Sequence, residues 1–287
     1  MPPVLVIARL TVQEASRRRL LLALLILTLI VVGFSAWGFH KITTVPRSDG
    51  TPLPPEQVAL ITSQLLIVVT FMFSGVLALS AAVVAGPLIS SEVESGLLLA
   101  MLARPLRRSE VVIGKWLGLA VLVAVYAAGS AFLELAAVDW ATGYLPPHPV
   151  SLVLYVGAEG LALLSLGLVL STRLSGITGG VIALVAWLMG WIGGVVGDIG
   201  TGLQNQAIEN VGIVSHILLP TDGLWRGAIY AMEPDSLIAT LRAAGTFGRA
   251  NPFAAVDPPA FGFLLWVAAW FALMLGVSIW SFRTREI

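Results

Sequence analysis

Six apolar runs of about 20 residues each decide what this chain can fold into. They lie at about 20–39, 59–86, 111–133, 152–171, 176–197 and 261–282. An α-helix rises 1.5 Å per residue, so about 20 residues cross a hydrocarbon core roughly 30 Å thick. Within that core water cannot satisfy a backbone N–H or C=O, so each run is expected to be a helix. Charged residues make up 11 % of the chain and hydrophobic ones 57 %, with a mean hydropathy of +0.94. A soluble domain carries about 25 % charge and could not cover this much apolar surface with less than half of that. The expected fold class is an all-α integral membrane protein, one transmembrane domain over residues 1–287 with six transmembrane helices.

Orientation follows from the 16 Lys and Arg residues. Arg9 and Arg17 to Arg19 precede the first run. Arg104, Arg107, Arg108 and Lys115 lie between the second and third, Arg173 between the fourth and fifth, and Arg283 and Arg285 after the sixth. The opposite side holds only Lys41, Arg47, Arg226, Arg242 and Arg249, over longer loops. The bias predicts a multi-pass protein of the cell membrane with both termini cytoplasmic. Arg17–Arg19 followed by Leu20–Val32 has the outline of a signal peptide, but the run continues through Trp37 and Phe39 without a small-x-small site. An uncleaved first span is expected. Before it, Val4, Ile7, Ala8, Thr11 and Ala15 share one helical face, which predicts an interfacial entry helix over 1–19, with a disordered basic tail as the alternative.

On the outer side, His40–Val58 and Glu134–Pro149 are short loops, with Glu134 and Asp139 expected to be solvated. The stretch 198–260 differs in kind. It turns apolar at VGIVSHILLPTDGLW, which predicts an extracytoplasmic segment with short re-entrant or interfacial helices broken at Pro220, and Trp225 and Tyr230 at the interface. In the fifth span Gly176/Gly180, Gly190/Gly194 and Gly193/Gly197 are each four apart, which aligns small faces for close helix packing; a flexible point without a partner is the alternative.

Several chemistries are excluded or weakened. There are no cysteines, hence no disulfide, thiol nucleophile or cysteine-ligated metal. The net charge of zero argues against nucleic acid as a partner. Gly114-Lys115 ends like a phosphate-binding loop, but Ser109 stands where its first Gly belongs and Trp116 where Ser or Thr belongs. His40, His148 and His216 are far apart and make no metal-ligand spacing. The chain is not expected to be an enzyme by itself. Glu159 is an intramembrane carboxylate within the fourth span, so it is either a functional proton site or a hydrogen-bonded clip between helices.

The most charged stretch lies between the second and third spans, LISSEVESGLLLAMLARPLRRSEVVIGKW, with Glu92, Glu94, Glu110, Arg104, Arg107, Arg108 and Lys115. Pro87 ends or kinks the second helix. Ser90 or Ser91 is expected to cap a short helix with Glu92 and Glu94 in its first turn. Gly96 and Pro105 interrupt and stop the apolar run Leu97–Leu102. Ser109 is the expected cap of the third span, with Lys115 snorkelling to the interface. A short amphipathic helix with charged ends, held at a membrane surface over 88–110, suits docking of a partner; an ordinary interfacial loop is the alternative.

This stretch resembles the corresponding loop of type-2 ABC transporter permeases (the ABC-2 membrane family). Their pattern I-S-x-E-x-E-x-G-T-L, then L-x-x-P-x-x-R, then G-K is matched by Ile89, Ser90, Glu92, Glu94, Gly96 and Leu98, by Leu102, Pro105 and Arg108, and by Gly114 and Lys115. Leu97 departs from the usual Thr. The resemblance implies a permease subunit that pairs with a second copy or a paralogue and carries two ABC ATPase subunits. Those subunits bind ATP and Mg, and this chain holds no cofactor. Glu92, Glu94, Gly96, Arg104, Pro105, Arg107 and Arg108 would form the ATPase-coupling surface. Export of a hydrophobic or amphipathic solute is the expectation. The alternatives are a platform that passes ATP-driven motion to an extracytoplasmic partner such as a metalloenzyme maturation factor, and a proton-coupled transporter using Glu159.

Overall fold

The computed structural model describes residues 2–16, 19–44, 51–94 and 107–285. Arg17, Arg18 and Arg47, and the stretch that includes Gly96, Leu97, Arg104 and Pro105, lie outside the described residues. The described residues are mostly helical and contain no strand. They form α1 (Pro3–Ser16), α2 (Arg19–Thr44), α3 (Pro55–Ala85), α4 (Pro87–Glu94), α5 (Arg108–Thr142), α6 (Pro149–Ser171), α7 (Gly176–Gly202), α8 (Gln206–Leu218), α9 (Thr221–Met232), α10 (Asp235–Ala243), α11 (Thr246–Arg249) and α12 (Phe261–Arg283). Six helices, α2, α3, α5, α6, α7 and α12, are long and apolar enough to span, and the chain is an all-α integral membrane protein.

Helix starts and stops follow local chemistry. Pro55 and Pro149 open α3 and α6 in the first turn, where a missing N–H costs nothing. Asn205 caps α8 by accepting from the Ala207 and Ile208 amides at 3.0 and 3.3 Å. Gly143, at φ +68°, closes α5 with its N–H on the Asp139 carbonyl at 2.8 Å, a left-handed residue where glycine avoids the Cβ clash. α5 runs nine residues beyond the expected boundary at 133.

α6 is the central post and packs on α3, α5, α7, α9 and α12. α2 and α12 stand at the periphery. α2 exposes Leu22, Leu25, Ile26, Leu29, Phe34 and Trp37, a surface suited to lipid. The bundle has a terminal end, where α1 meets the last turn of α12, and a distal end. One buried cluster joins Ile7, Ile89, Val111, Leu168 and Phe282 at the terminal end. A larger one joins Leu66, Leu135, Val138, Leu152, Trp225 and Met232 at the distal end. α1 buries Ile7, Thr11 and Ala15. It lies so close to α5 that a Cβ on Gly114 would meet Ile7, and one on Gly118 would meet Thr11.

Candidate functional site

Two regions carry the polar chemistry of the interior. The first is the terminal end around α4. Gly86 keeps helical dihedrals, so α3 passes into α4 with Pro87 at the junction. A Cβ on Gly86 would strike the Gly176 carbonyl, and one on Gly176 would strike Pro87. Gly180 faces the Ala82 carbonyl in the same way. The α3–α4 junction is therefore seated directly on the start of α7.

α4 begins at Pro87, three residues before the expected serine cap. The Ser90 and Ser91 hydroxyls donate back to the Gly86 and Pro87 carbonyls at 3.3 and 2.6 Å. Glu92 and Glu94 thus fall beyond the first turn of α4, not within it as expected. The Lys115 ammonium meets Glu92 there. It sits 2.6 Å from Glu92 and donates to the Leu88 carbonyl at 2.7 Å. Its side chain is 5 % exposed, so it pins α4 to α5 instead of snorkelling to water.

α5 starts at Arg108, with exposed Arg107 in the capping position and Ser109 inside the first turn. Glu110 reaches back to accept from the Arg107 amide at 2.9 Å. Arg108 donates to the Phe282, Arg283 and Arg285 carbonyls at 2.9, 3.1 and 2.8 Å. Its guanidinium also lies 5.6 Å from the centre of the Phe282 ring. Arg173 binds Ser281 and Thr284, and Arg285 binds the Thr172 carbonyl. Three arginines therefore tie down the negative end of α12. The structure brings Glu92, Arg107 and Arg108 to one end of the bundle, whereas Glu159 lies deep within it.

Glu159 is 2 % exposed. Its Oε1 accepts from Ser74 of α3 at 2.7 Å and from the Trp187 indole of α7 at 2.8 Å. The carboxyl joins three helices. Its Oε2 has no hydrogen-bond partner.

The second region is a hairpin formed by α8 and α9, which meet at Pro220. α8 runs back along α7 through glycine contacts, Gly200 on Glu209, Gly197 on Gly212, Gly193 on Ser215 and Gly190 on Leu219 and Thr221. At 1.5 Å per residue the hairpin reaches about 15 Å along α7. Its tip is held by Trp270, whose indole donates to the Leu218 carbonyl at 3.0 Å. α9 then returns almost wholly buried, with Trp225 at 2 % exposure in the core and not in an interfacial belt.

A charge cluster fastens the hairpin. Asp222 Oδ2 lies 2.7 Å from His216 Nε2 and accepts from Arg226 Nε at 2.9 Å, while Arg226 also bonds Asp198 near the end of α7. A Cβ on Gly194 would overlap the Asp222 carboxylate, so glycine is required there by the approach of the charge. Near the far end of α9, Glu233 is fully buried and accepts from the Ala255 amide at 3.2 Å. Burial pushes its carboxyl up to about 7, against the lowering effect of that amide.

Sequence reasoning missed this cluster and the burial of Glu134, which is 3 % exposed, while Asp139 is exposed. The Asp222/Arg226 spacing of i, i+4 was a readable signal, but Asp198 and His216 had none.

A model of the family described as ABC-2 family transporter protein matches residues 5–287. No curated protein matches the chain.

Proposed function

We propose that this chain, which belongs to the ABC-2 family of transporter proteins, is the permease subunit of an ATP-driven exporter. Two separate ATPase subunits bind ATP and Mg, and a second permease copy or paralogue completes the complex. The terminal end then faces the cytoplasm of a prokaryotic cell. The observation that carries this reading is the family match over nearly the whole chain, and the seating of α4 supports the coupling mechanism. Glu94, Gly96, Arg104, Pro105 and exposed Arg107 contact the ATPase. Glu92 and Arg108 shape that surface through Lys115 and the end of α12. A push on 95–106 enters α4, passes through the Gly86–Gly176 contact into α7, and is carried by α7 to the α8–α9 hairpin.

An amphipathic solute suits the groove of about 450 Å³ between α3 and α7. Leu79, Val83, Val181 and Leu184 line it, with Ser90 and Ser175 at one end. The absence of native cysteine allows a clean test. Single cysteines at positions 96 and 104 should crosslink to a co-purifying ATPase, present at about one copy per permease. A permease that comes down alone after gentle solubilisation and crosslinking sinks the reading.

A second reading, a platform that drives an extracytoplasmic partner, is favoured by the α7–α8 glycine contacts, which place the hairpin at the end of the same path. A third protein in the purified complex would select it. Transport driven by a pH gradient without ATP, and lost in Glu159→Gln, would replace both.

A further inference from the structure

At the distal end α3, α5 and α6 enclose a cavity of about 20 Å³, apolar apart from Glu134, Ser130 and Thr70. A space of this size holds one water, and an internal water needs about two to four polar partners. Neither carboxyl oxygen of Glu134 bonds a side chain of the cavity wall. Both hydroxyls place their protons elsewhere. Ser130 donates to the Tyr126 carbonyl at 2.8 Å, and Thr70 donates to Met232 Sδ at 3.3 Å. Each therefore presents lone pairs to the cavity, which holds acceptors and no donor. An ionised carboxylate is also an acceptor only, so the two protons of the water would face three acceptors, and one of the three would go without.

No Lys, Arg or His lines the cavity, and the wall residues from α3 and α6 do not titrate. Among the neighbouring groups, Ser35 of α2 lies outside the wall and hydrogen-bonds the carboxyl from there, a neutral donor. Tyr126 of α5 is bonded to Thr28, Glu159 of α6 is held by Ser74 and Trp187, and His40 of α2 stacks on Trp140. None supplies a counter-charge. Two carboxyl and two hydroxyl oxygens also fall short of the six or so that hard cations take.

We propose that Glu134, Ser130 and Thr70 form a proton-and-water site, in which a neutral carboxylic acid donates to one internal water and that water donates to the two hydroxyl oxygens. The site lies under the end of α9. Thr70 holds Met232 by its sulfur, and Tyr144 donates to the Met232 carbonyl at 2.7 Å. Withdrawal of α9 would free the Thr70 proton and expose the acid, so proton exchange at Glu134 reports the position of the hairpin.

Infrared difference spectroscopy of the full chain in lipid nanodiscs tests this. A protonated-carboxyl stretch should be present at neutral pH, vanish in Glu134→Gln and persist in Glu159→Gln. In Thr70→Val/Ser130→Ala, which removes the acceptors of the water, the band should move to higher frequency. No band lost in Glu134→Gln, a band unmoved in the double variant, or a band abolished by added sodium would each overturn the proposal. Should Glu134→Gln fail to fold, the double variant reads the same band.

Discussion

Lys115 offers the sharpest test of how the terminal end is built. It holds two acceptors on α4 at once, the Glu92 carboxylate at 2.6 Å and the Leu88 carbonyl at 2.7 Å. Glu92→Ala leaves a buried ammonium with its carboxylate partner gone, which should cost about 3 kcal/mol. Lys115→Met leaves a carboxylate that is 15 % exposed and closer to water, so a smaller loss of about 2 kcal/mol is expected. Removing both charges should cost less than the two losses together, with a coupling energy of about 2–3 kcal/mol. The charge swap Glu92→Lys/Lys115→Glu is the discriminating variant. It restores opposite charges, yet it turns a carboxylate toward the Leu88 carbonyl, two acceptors with no proton between them, so stability should stay well below wild type. Denaturant unfolding in mild detergent measures all four proteins, and ATPase activity of the assembled complex is read in parallel. A coupling energy under about 0.5 kcal/mol, or full recovery by the swap, would refute the pin. Unchanged stability with lost ATPase stimulation in Glu92→Ala would instead make Glu92 a docking residue.

Gly194→Ala should cost about 1–3 kcal/mol by driving a methyl into the Asp222 carboxylate, whereas Gly33→Ala, which meets nothing within 4 Å, should be neutral or stabilising by up to about 1 kcal/mol. Thermal unfolding of the two variants side by side checks both signs. Glu233 keeps its proton in the fold up to about 7, while an unfolded carboxyl releases it near 4.5. The unfolded chain then binds fewer protons between those values, so the contribution of this group is fully present below pH 4.5 and is lost as pH rises toward 7. The difference in melting temperature between wild type and Glu233→Gln should change across that window and be flat outside it. Arg108→Met removes the one guanidinium nitrogen that reaches three carbonyls, which should cost about 1–3 kcal/mol and fray the end of α12 in hydrogen exchange.

The spans were legible because apolar length is a local property, and the entry helix because Ile7, Thr11 and Ala15 recur at helical spacing. α5 escaped beyond 133 because Glu134 and Asp139 look like the start of a loop. In the fold Glu134 turns inward against α3 and α6 while Asp139 faces out, a distinction set by tertiary packing. The same limit applies at the terminal end. The acidic and basic residues of 88–116 announced a polar surface, but Glu92 and Lys115 are 23 positions apart in sequence, and no local pattern says that they meet. Arg108 reaches carbonyls some 175 positions away. Charge composition located the region, and only the fold separated contacts that hold it from side chains left free to meet a partner.

The seat of α1 on Gly114 and Gly118 also sets a schedule for biosynthesis. α1 leaves the ribosome well before the helix that receives it, which follows about a hundred residues later, a delay of roughly 5–20 s at ~5–20 residues per second. During that interval Ile7, Thr11 and Ala15 have no protein surface to rest on, and the lipid headgroup boundary is their natural shelter. Insertion of the later spans must therefore precede the docking of the first helix, and a variant that slows the arrival of α5 would prolong the exposure of a segment made long before it.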